Sequence, residues 1–393
     1  MEAVGKWYNN WKEIFKKGCG DVRFLHTADW HIGKKFNGYD LLSEQEAVID
    51  QIIEIAVTEA VDAVVIAGDL YDRGVPPVEA VSLFNQKVVQ LNLEKKLPLL
   101  AISGNHDNAT RLETGGPWFS HTAFHLHTRL DQAFMPVTIG DTQFFLLPYF
   151  EPIAARLFFA DDTIRTIAEA VELAVAKMKE SFDPALRQVL VTHFFVAGAL
   201  RTDSETKIEV GGLDNVPADL FDEFDYVALG HLHGKDAVKH PRIQYSGSPL
   251  KFSLSEATQE KGVFIVDTAA VEKRQFVPLV PVHDVRVLTA AYEQLLDLTF
   301  YQAVGREDFL QIKLTDRAVI PNLMNTLRGI YPRILGVERV SGVAKVQQTA
   351  PELPQERNPE ALVQDFFAEM TGEKLSAQQQ EWLKAALQAV AKE

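Results

Sequence analysis

The sequence predicts a layered α/β domain, followed by a smaller α+β domain and a helical tail. Three observations carry that expectation. Seven apolar runs of strand length alternate with helical stretches between Phe24 and Val266; five of those runs end in Asp, Asn or His; and past Pro281 the pattern becomes shorter and more mixed. The runs are Phe24 to Ala28, Ala63 to Ala67, Leu97 to Ile102, Phe144 to Leu147, Val189 to Thr192, Tyr226 to Leu229 and Val263 to Val266. The helical stretches between them are Leu42 to Glu59, Val78 to Leu93 and Thr163 to Lys179.

The residues just after each run are the informative ones. Phe24 to Ala28 leads to Asp29 and His31, Ala63 to Ala67 to Gly68 and Asp69, and Leu97 to Ile102 to Gly104, Asn105, His106 and Asp107. Val189 to Thr192 ends at His193, and Tyr226 to Leu229 runs into Gly230, His231, Leu232 and His233. The C-terminal edge of an α/β sheet is where sites form. Asp29 and His31, like His231 and His233, are two apart, so an extended segment would aim both members of each pair the same way. Gly68, Gly104 and Gly230 suit tight turns at close backbone approach.

Two carboxylates, one amide and four imidazoles, with no thiolate, suit manganese or iron better than calcium or a structural zinc. The set is too large for one ion. Two divalent ions bring +4, Asp29 and Asp69 bring −2 and a bridging hydroxide −1, leaving about +1 to attract a phosphate, a balance that favours phosphoester hydrolysis. His106 follows Asn105 by one residue, which turns it away from that ligand position and suits it to proton transfer to a leaving oxygen.

Composition narrows the classes. Of 393 residues 47% are hydrophobic and 24% charged, an ordinary globular balance. The length points to two or three domains at about 150 residues each. Lys plus Arg is 39 against 54 Asp plus Glu, a net charge of −15, which argues against holding nucleic acid by overall field alone. The single cysteine, Cys19, cannot form an internal disulfide, so a reducing, cytoplasmic setting is expected and a zinc ribbon is excluded. No apolar stretch approaches the roughly 18 residues of a membrane span, and no signal-peptide block opens the chain. Gly230 to Lys235 is one residue short of a phosphate-binding P-loop, so ATP hydrolysis is not expected of this chain.

The ordered motifs Asp29-Trp30-His31, Gly68-Asp69-Leu70-Tyr71-Asp72, Gly104-Asn105-His106-Asp107, His193 and Gly230-His231-Leu232-His233 resemble those of the calcineurin-like metallophosphoesterase superfamily. The segments His26 to Lys34 and Tyr245 to Glu256 resemble the branch containing the nuclease subunits of bacterial DNA-end-processing complexes. The resemblance covers about Val22 to the end. It implies a β-sandwich flanked by helices over residues 22–278, an α+β capping and DNA-contacting domain over 282–345, and a tail over 355–393 that binds a coiled-coil ATPase. It further implies two divalent ions, most often manganese. One would be held by Asp29, His31, Asp69 and His233, the other by Asp69, Asn105, His193 and His231, with His106 as the catalytic histidine and Asp72 and Asp107 orienting the ligands. The implied activity is cleavage of double- and single-stranded DNA in repair and recombination, by a homodimer within a heterotetramer in the nucleoid-bearing cytoplasm. The competing expectations are a calcineurin-like phosphatase or cyclic-nucleotide phosphodiesterase, which would not need residues 282–393, and a noncatalytic DNA-end scaffold, against which the full ligand set argues.

The remaining features have plainer readings. His26, His121, His125, His127, His240 and His283 are expected to be structural or solvated, with His121, His125 and His127 in a polar loop. Lys34, Lys35, Arg73, Arg111, Lys235 and Lys251 lie beside motifs and could meet phosphates. Residues 1–21 carry an amphipathic stripe of Val4, Trp7, Tyr8, Trp11, Ile14 and Phe15 and are expected to be a dispensable extension, with Val22 as the start of the compact domain. Val285 to Leu288, Phe309 to Leu314 and Val337 to Val340 read as strands and Ile320 to Ile330 as a helix. In the tail, Asn358 and Pro359 open one helix bearing Leu362, Phe366, Phe367 and Met370. Ser376 and Gln379 open a second, bearing Trp382, Leu383, Leu387 and Val390.

Overall fold

The structure is a computed structural model that describes residues 20–196, 199, 202, 215–340, 363, 364, 367 and 375–390. The extension before Gly20 and nearly all of the first expected tail helix lie outside the described residues. The described residues up to Val340 form one compact unit and those beyond it a second.

The strands are β1 (Arg23–Thr27), β2 (Lys35–Phe36), β3 (Tyr39–Asp40), β4 (Ala63–Ala67), β5 (Leu99–Ile102), β6 (Phe124–His127), β7 (Val137–Ile139), β8 (Thr142–Leu147), β9 (Arg187–Thr192), β10 (Tyr226–Leu229), β11 (Ile243–Tyr245), β12 (Gly262–Asp267), β13 (Gln275–Pro278), β14 (Val285–Ala290), β15 (Phe309–Leu314) and β16 (Ile334–Arg339). A six-stranded sheet runs β13-β12-β1-β4-β5-β6 and a five-stranded sheet β11-β10-β9-β8-β7. Within the first, β1, β4, β5 and β6 are parallel, and within the second β8, β9, β10 and β11 are parallel. Their C-terminal ends therefore gather at one edge of each sheet.

The two sheets pack face to face. Phe24, Val65, Leu100 and Val266 of one meet Phe144, Leu146, Val191 and Tyr226 of the other in a buried cluster. Alternate residues point outward. Leu25, Val64, Ile66 and Leu99 lie under the helices Leu42–Thr58 and Val78–Val88, and Phe145, Leu147, Leu190 and Val227 under the helix Ile167–Lys179. Strands buried on both faces read as unbroken apolar runs, which is why the sequence shows runs instead of alternation.

Several boundaries move, each for a local reason. The second helix ends as an α-helix at Val88 and continues as a wider π-turn from Val89 to Glu94. The third begins at Ile167, where Thr166 and Glu169 form a reciprocal capping box. In the small domain the helix is confined to Leu323–Arg328, because Asn322 takes a left-handed φ of 55° just before it. His125 and His127 are not in a loop as expected: they lie on strand β6, where the short Phe-His-Leu-His alternation hid an edge strand.

β14, β15 and β16 make a parallel three-stranded sheet with helices as crossovers and its own core of Leu295, Leu310, Ile312, Leu327 and Tyr331. A bridging cluster of Phe36, Leu41, Val48, Leu250, Phe252, Val285 and Phe309 ties it to the sandwich. In the second unit the helix Ala377–Val390 opens as expected, with the Gln379 amide N–H on Ser376 Oγ and the Ser376 amide N–H on Gln379 Oε1. Trp382 on it is 64% exposed. No helix among the described residues is long and apolar enough to cross a membrane.

Phe144 is fully buried between the sheets, edge-on to Phe24 at a centroid distance of 5.4 Å. Phe144→Ala should therefore lower unfolding free energy by about 3–5 kcal/mol. Chemical denaturation checks this, and a loss below about 1 kcal/mol would show that the inter-sheet layer can collapse around the vacancy.

Candidate metal centre

The expected site residues converge at the C-terminal strand ends. Asp29 and His31 follow β1, Asp69 follows β4, and Asn105 and His106 follow β5, all from the six-stranded sheet; His193 follows β9, and His231 and His233 follow β10, from the five-stranded one. Both sheets thus contribute to one cluster. Asp29, His31, Asp69, His193, His231 and His233 are buried.

The route by which the pairs arrive differs from the extended geometry expected. β1 ends at Thr27 and β10 at Leu229, and Asp29, His31, Asp69 and His231 adopt left-handed φ values of 53°, 44°, 52° and 93°. Backbone bonds from the Asp29 and His31 amides to the carbonyls of Gly68 and Asp69, each 3.0 Å, hold the two turns together. Trp30, between the pair, is turned into the helical layer against Phe84. A non-glycine residue in this region costs about 1–3 kcal/mol, and such strain concentrates at functional sites.

Asp69 lies at the middle. Its Oδ2 is 3.5 Å from His31 Nε2 and 3.3 Å from His193 Nε2, while Oδ1 accepts the His106 amide N–H at 2.9 Å. On one side His31 Nε2 faces His233 Nε2 at 3.1 Å, and Asp29, His31 and His233 present donor atoms within 4.8 Å of one another. On the other side Asn105 Oδ1 is 3.1 Å from His193 Nε2 and 3.0 Å from His231 Nδ1. The His231 amide donates to Asp29 at 2.9 Å. The His106 ring stands edge-on to His31 at 4.8 Å, so Asn105 and its neighbour serve opposite sides of Asp69. Two imidazole nitrogens turned toward each other cannot both present lone pairs without a proton or a cation between them, and the oxygen-and-nitrogen donor set fits a divalent cation.

Close approach explains the glycines. A Cβ on Gly104 would stand 2.2 Å from Asp69 Oδ1, and one on Gly230 would stand 2.0 Å from the Ala67 carbonyl and 2.7 Å from His193 Nδ1. Gly68 adds a left-handed φ of 91° to a space already filled by His193.

Behind this cluster lie further polar groups. Asp107 accepts the amides of Gly104, Leu70 and Tyr71 at 2.9–3.0 Å, tying the β4 and β5 loops together. The Asp72 carbonyl accepts a hydrogen bond from His106 Nδ1–H at 2.8 Å, and its carboxylate holds Lys34 at 2.6 Å. Glu256, Lys261 and Phe252 also back the site, and sequence reasoning assigned them no role. Glu256 Oε1 faces His233 Nδ1 at 3.6 Å and the Phe252 ring abuts His31 and His233. Their segment was visible as a motif, but nothing in its spacing says that it folds back behind His233. Outside the cluster, His26 is a core histidine on the Tyr226 hydroxyl, driven down to about 3 by burial, and His283 pairs with Glu44 at 2.6 Å. Of the basic residues beside motifs, Lys34 and Lys251 are held by Asp72 and Asp284, whereas Lys35, Arg73 and Arg111 are exposed.

Burial alone would lower His193, but the Asp69 carboxylate carries it up to about 9. Burial pushes Asp29 up to about 7 against the opposing pull of His193 and His233. For Asp69, burial acts upward too, yet His193 and His31 hold it well below the usual carboxylate range. In the cation-free protein His193 thus keeps its proton until the pH rises through about 9, and Asp29 until it rises through about 7. A cation needs both groups deprotonated. Calorimetric manganese titration in buffers of different ionisation enthalpy should show more than one proton released at pH 6.5, about one at pH 8, and a fall toward zero above 9. A binding enthalpy independent of the buffer at pH 8 would contradict this electrostatic arrangement.

Comparison with known proteins agrees with this geometry. A family profile described as calcineurin-like phosphoesterase matches residues 22–235, and one described as type 5 capsule protein repressor C-terminal domain matches residues 281–371. The chain is 33% identical over 375 residues to SbcD, a subunit of the SbcCD nuclease, of Staphylococcus saprophyticus, covering 95% of this chain and 99% of that one. It is also 33% identical over 371 residues to SbcD of Staphylococcus epidermidis, covering 93% and 98%. The strand-end cluster, the matched profile and the near full-length likeness agree: this chain belongs to the calcineurin-like phosphoesterases and, within them, to the SbcD family.

Proposed function

We propose that the chain is a two-metal DNA phosphodiesterase, manganese-dependent, that cleaves double-stranded ends exonucleolytically and single strands endonucleolytically in repair and recombination. The observation that carries the reading is Asp69 Oδ2, set between His31 Nε2 and His193 Nε2 with a donor cluster on each side. Asp29, His31, Asp69 and His233 would hold one ion and Asp69, Asn105, His193 and His231 the other. Bound there, the pair supplies an activated water and positive charge for the phosphate.

The chain's own residues do the rest. The His106 Nδ1–H donates a hydrogen bond to the Asp72 carbonyl, which fixes the ring and turns Nε2 outward. The doubly protonated imidazolium would then give its Nε2 proton to the leaving oxygen and return to the neutral Nδ1–H ring. Asp107 keeps the β4 and β5 loops in register, so that Asp69 and Asn105 do not drift apart. Lys35, Arg73 and Arg111 are exposed cations beside the motifs that would meet a DNA backbone, a local answer to the net charge of −15. A homodimer would place two such faces on one DNA.

The relatives are named as the SbcD component of SbcCD, which supports SbcC as the partner. SbcC would supply the ATP hydrolysis for which this chain has no P-loop. The tail over 355–393 would dock helix-in-groove on the base of that partner's coiled coil, with Phe366, Phe367 and the exposed Trp382 as anchors.

Two outcomes test the reading. His106→Ala should lose about 100- to 10,000-fold in manganese-dependent cleavage of single-stranded DNA while still binding manganese in calorimetry; activity within a few-fold of wild type would remove the proton-transfer role. A chain ending at Pro354 should keep that cleavage but lose ATP-stimulated duplex degradation with SbcC. Unchanged pull-down of SbcC by the shortened chain would reject the tail as its docking element.

A further inference from the structure

We propose that Glu256, clamped by Lys261, is a positioning residue for His233 and so sets how tightly the Asp29, His31 and His233 side of the centre holds its ion. The inference rests on the metal-centre reading above and adds an asymmetry to it. Glu256 is fully buried and Lys261 is 6% exposed. A buried ion pair is weak evidence of stabilisation, because well-packed apolar residues serve a core as well or better, so its geometry is the guide to its use.

Lys261 Nζ reaches four oxygens: Glu256 Oε2 at 2.5 Å, Ser248 Oγ at 3.0 Å, Gln259 Oε1 at 2.9 Å and the His233 carbonyl at 2.8 Å. It therefore holds the His233 backbone directly and fixes the Glu256 carboxylate in place beside the His233 ring. Glu256 Oε1 takes the Ser253 hydroxyl at 2.8 Å and faces His233 Nδ1, leaving Nε2 turned toward His31. A carboxylate behind a ligating imidazole fixes its tautomer and rotation. Phe252, from the same segment, abuts both His31 and His233.

This segment is not part of either sheet. Leu250 and Phe252 pack with Val285 and Phe309 of the small domain, and Lys251 pairs with Asp284 at 2.8 Å. His193, on the other side of Asp69, is instead oriented by a strand, its Nδ1 donating to the Ala67 carbonyl at 2.7 Å. One side of the centre is thus built on sheet backbone, while the other leans on a connecting segment that also touches the small domain.

The test is stepwise manganese binding to the full chain, followed by calorimetry and by the electron paramagnetic resonance of bound manganese. Wild type should bind two ions. Glu256→Gln should weaken one of them by about 10- to 100-fold and leave the other unchanged, whereas His231→Ala should weaken the opposite one. Two ions in wild type with both affinities unchanged in Glu256→Gln would overturn the positioning role alone, as would an equal loss at both. No ion bound by wild type would remove the metal reading itself, and this inference with it. Should circular dichroism show the Gln variant unfolded, Glu256→Asp decides, since it keeps the charge beside Lys261 and withdraws it from His233. Selective weakening of one ion then supports the assignment, and two unchanged ions reject it.

Discussion

The architecture depends on two sheets being able to touch at one edge and not merely to stack. Packed sheets normally stand about 10 Å apart with side chains filling the space. At the C-terminal edge that distance has to shrink until a carboxylate after β4 reaches an imidazole after β9; Gly68 and Gly230 remove the side chains that would keep the sheets apart, and Gly104 leaves room for Asp69 within its own sheet. With the edge closed, donors from five strand ends share a volume that no single sheet could furnish. The left-handed turns at Asp29, His31, Asp69 and His231 are the local cost of that closure.

Much of this was legible in the sequence. Ala63 to Ala67 and Tyr226 to Leu229 have the same bounds in the sequence and the structure, because strands covered on both faces leave an unbroken apolar signature. β6, with histidines on alternate positions, and the three-residue β7 and β11 have no such signature and were missed. The donors of the centre stood out because each sits directly after a strand. Glu256 and Lys261 did not: Lys261 meets the His233 carbonyl across 28 residues, and only the fold of the intervening segment decides which face of His233 it approaches. The backbone route to the pairs was also invisible, since a left-handed turn and an extended segment can deliver residues two apart to the same place.

The electrostatics are built for a guest cation. Four imidazoles and two carboxylates are packed where water is scarce, and the result without a cation is a set of mutually shifted groups, with His193 high, Asp69 low and Asp29 near neutrality. Packing of this kind does little for stability on its own account. It becomes favourable when positive charge supplied from outside replaces the protons that hold the cluster together.

The pairing of β1 with β12 has a consequence for how the chain is made. Arg23 lies opposite Asp267, so the first strand of the sandwich stays without one neighbour until some 240 further residues have left the ribosome. At about 5–20 residues per second that is roughly 10–50 s during which the edge of β1 that β12 will occupy stays open. The inner sheet layer is therefore completed late, from its C-terminal side. Until Gly262 to Asp267 arrives, that open edge is a surface on which another chain could pair.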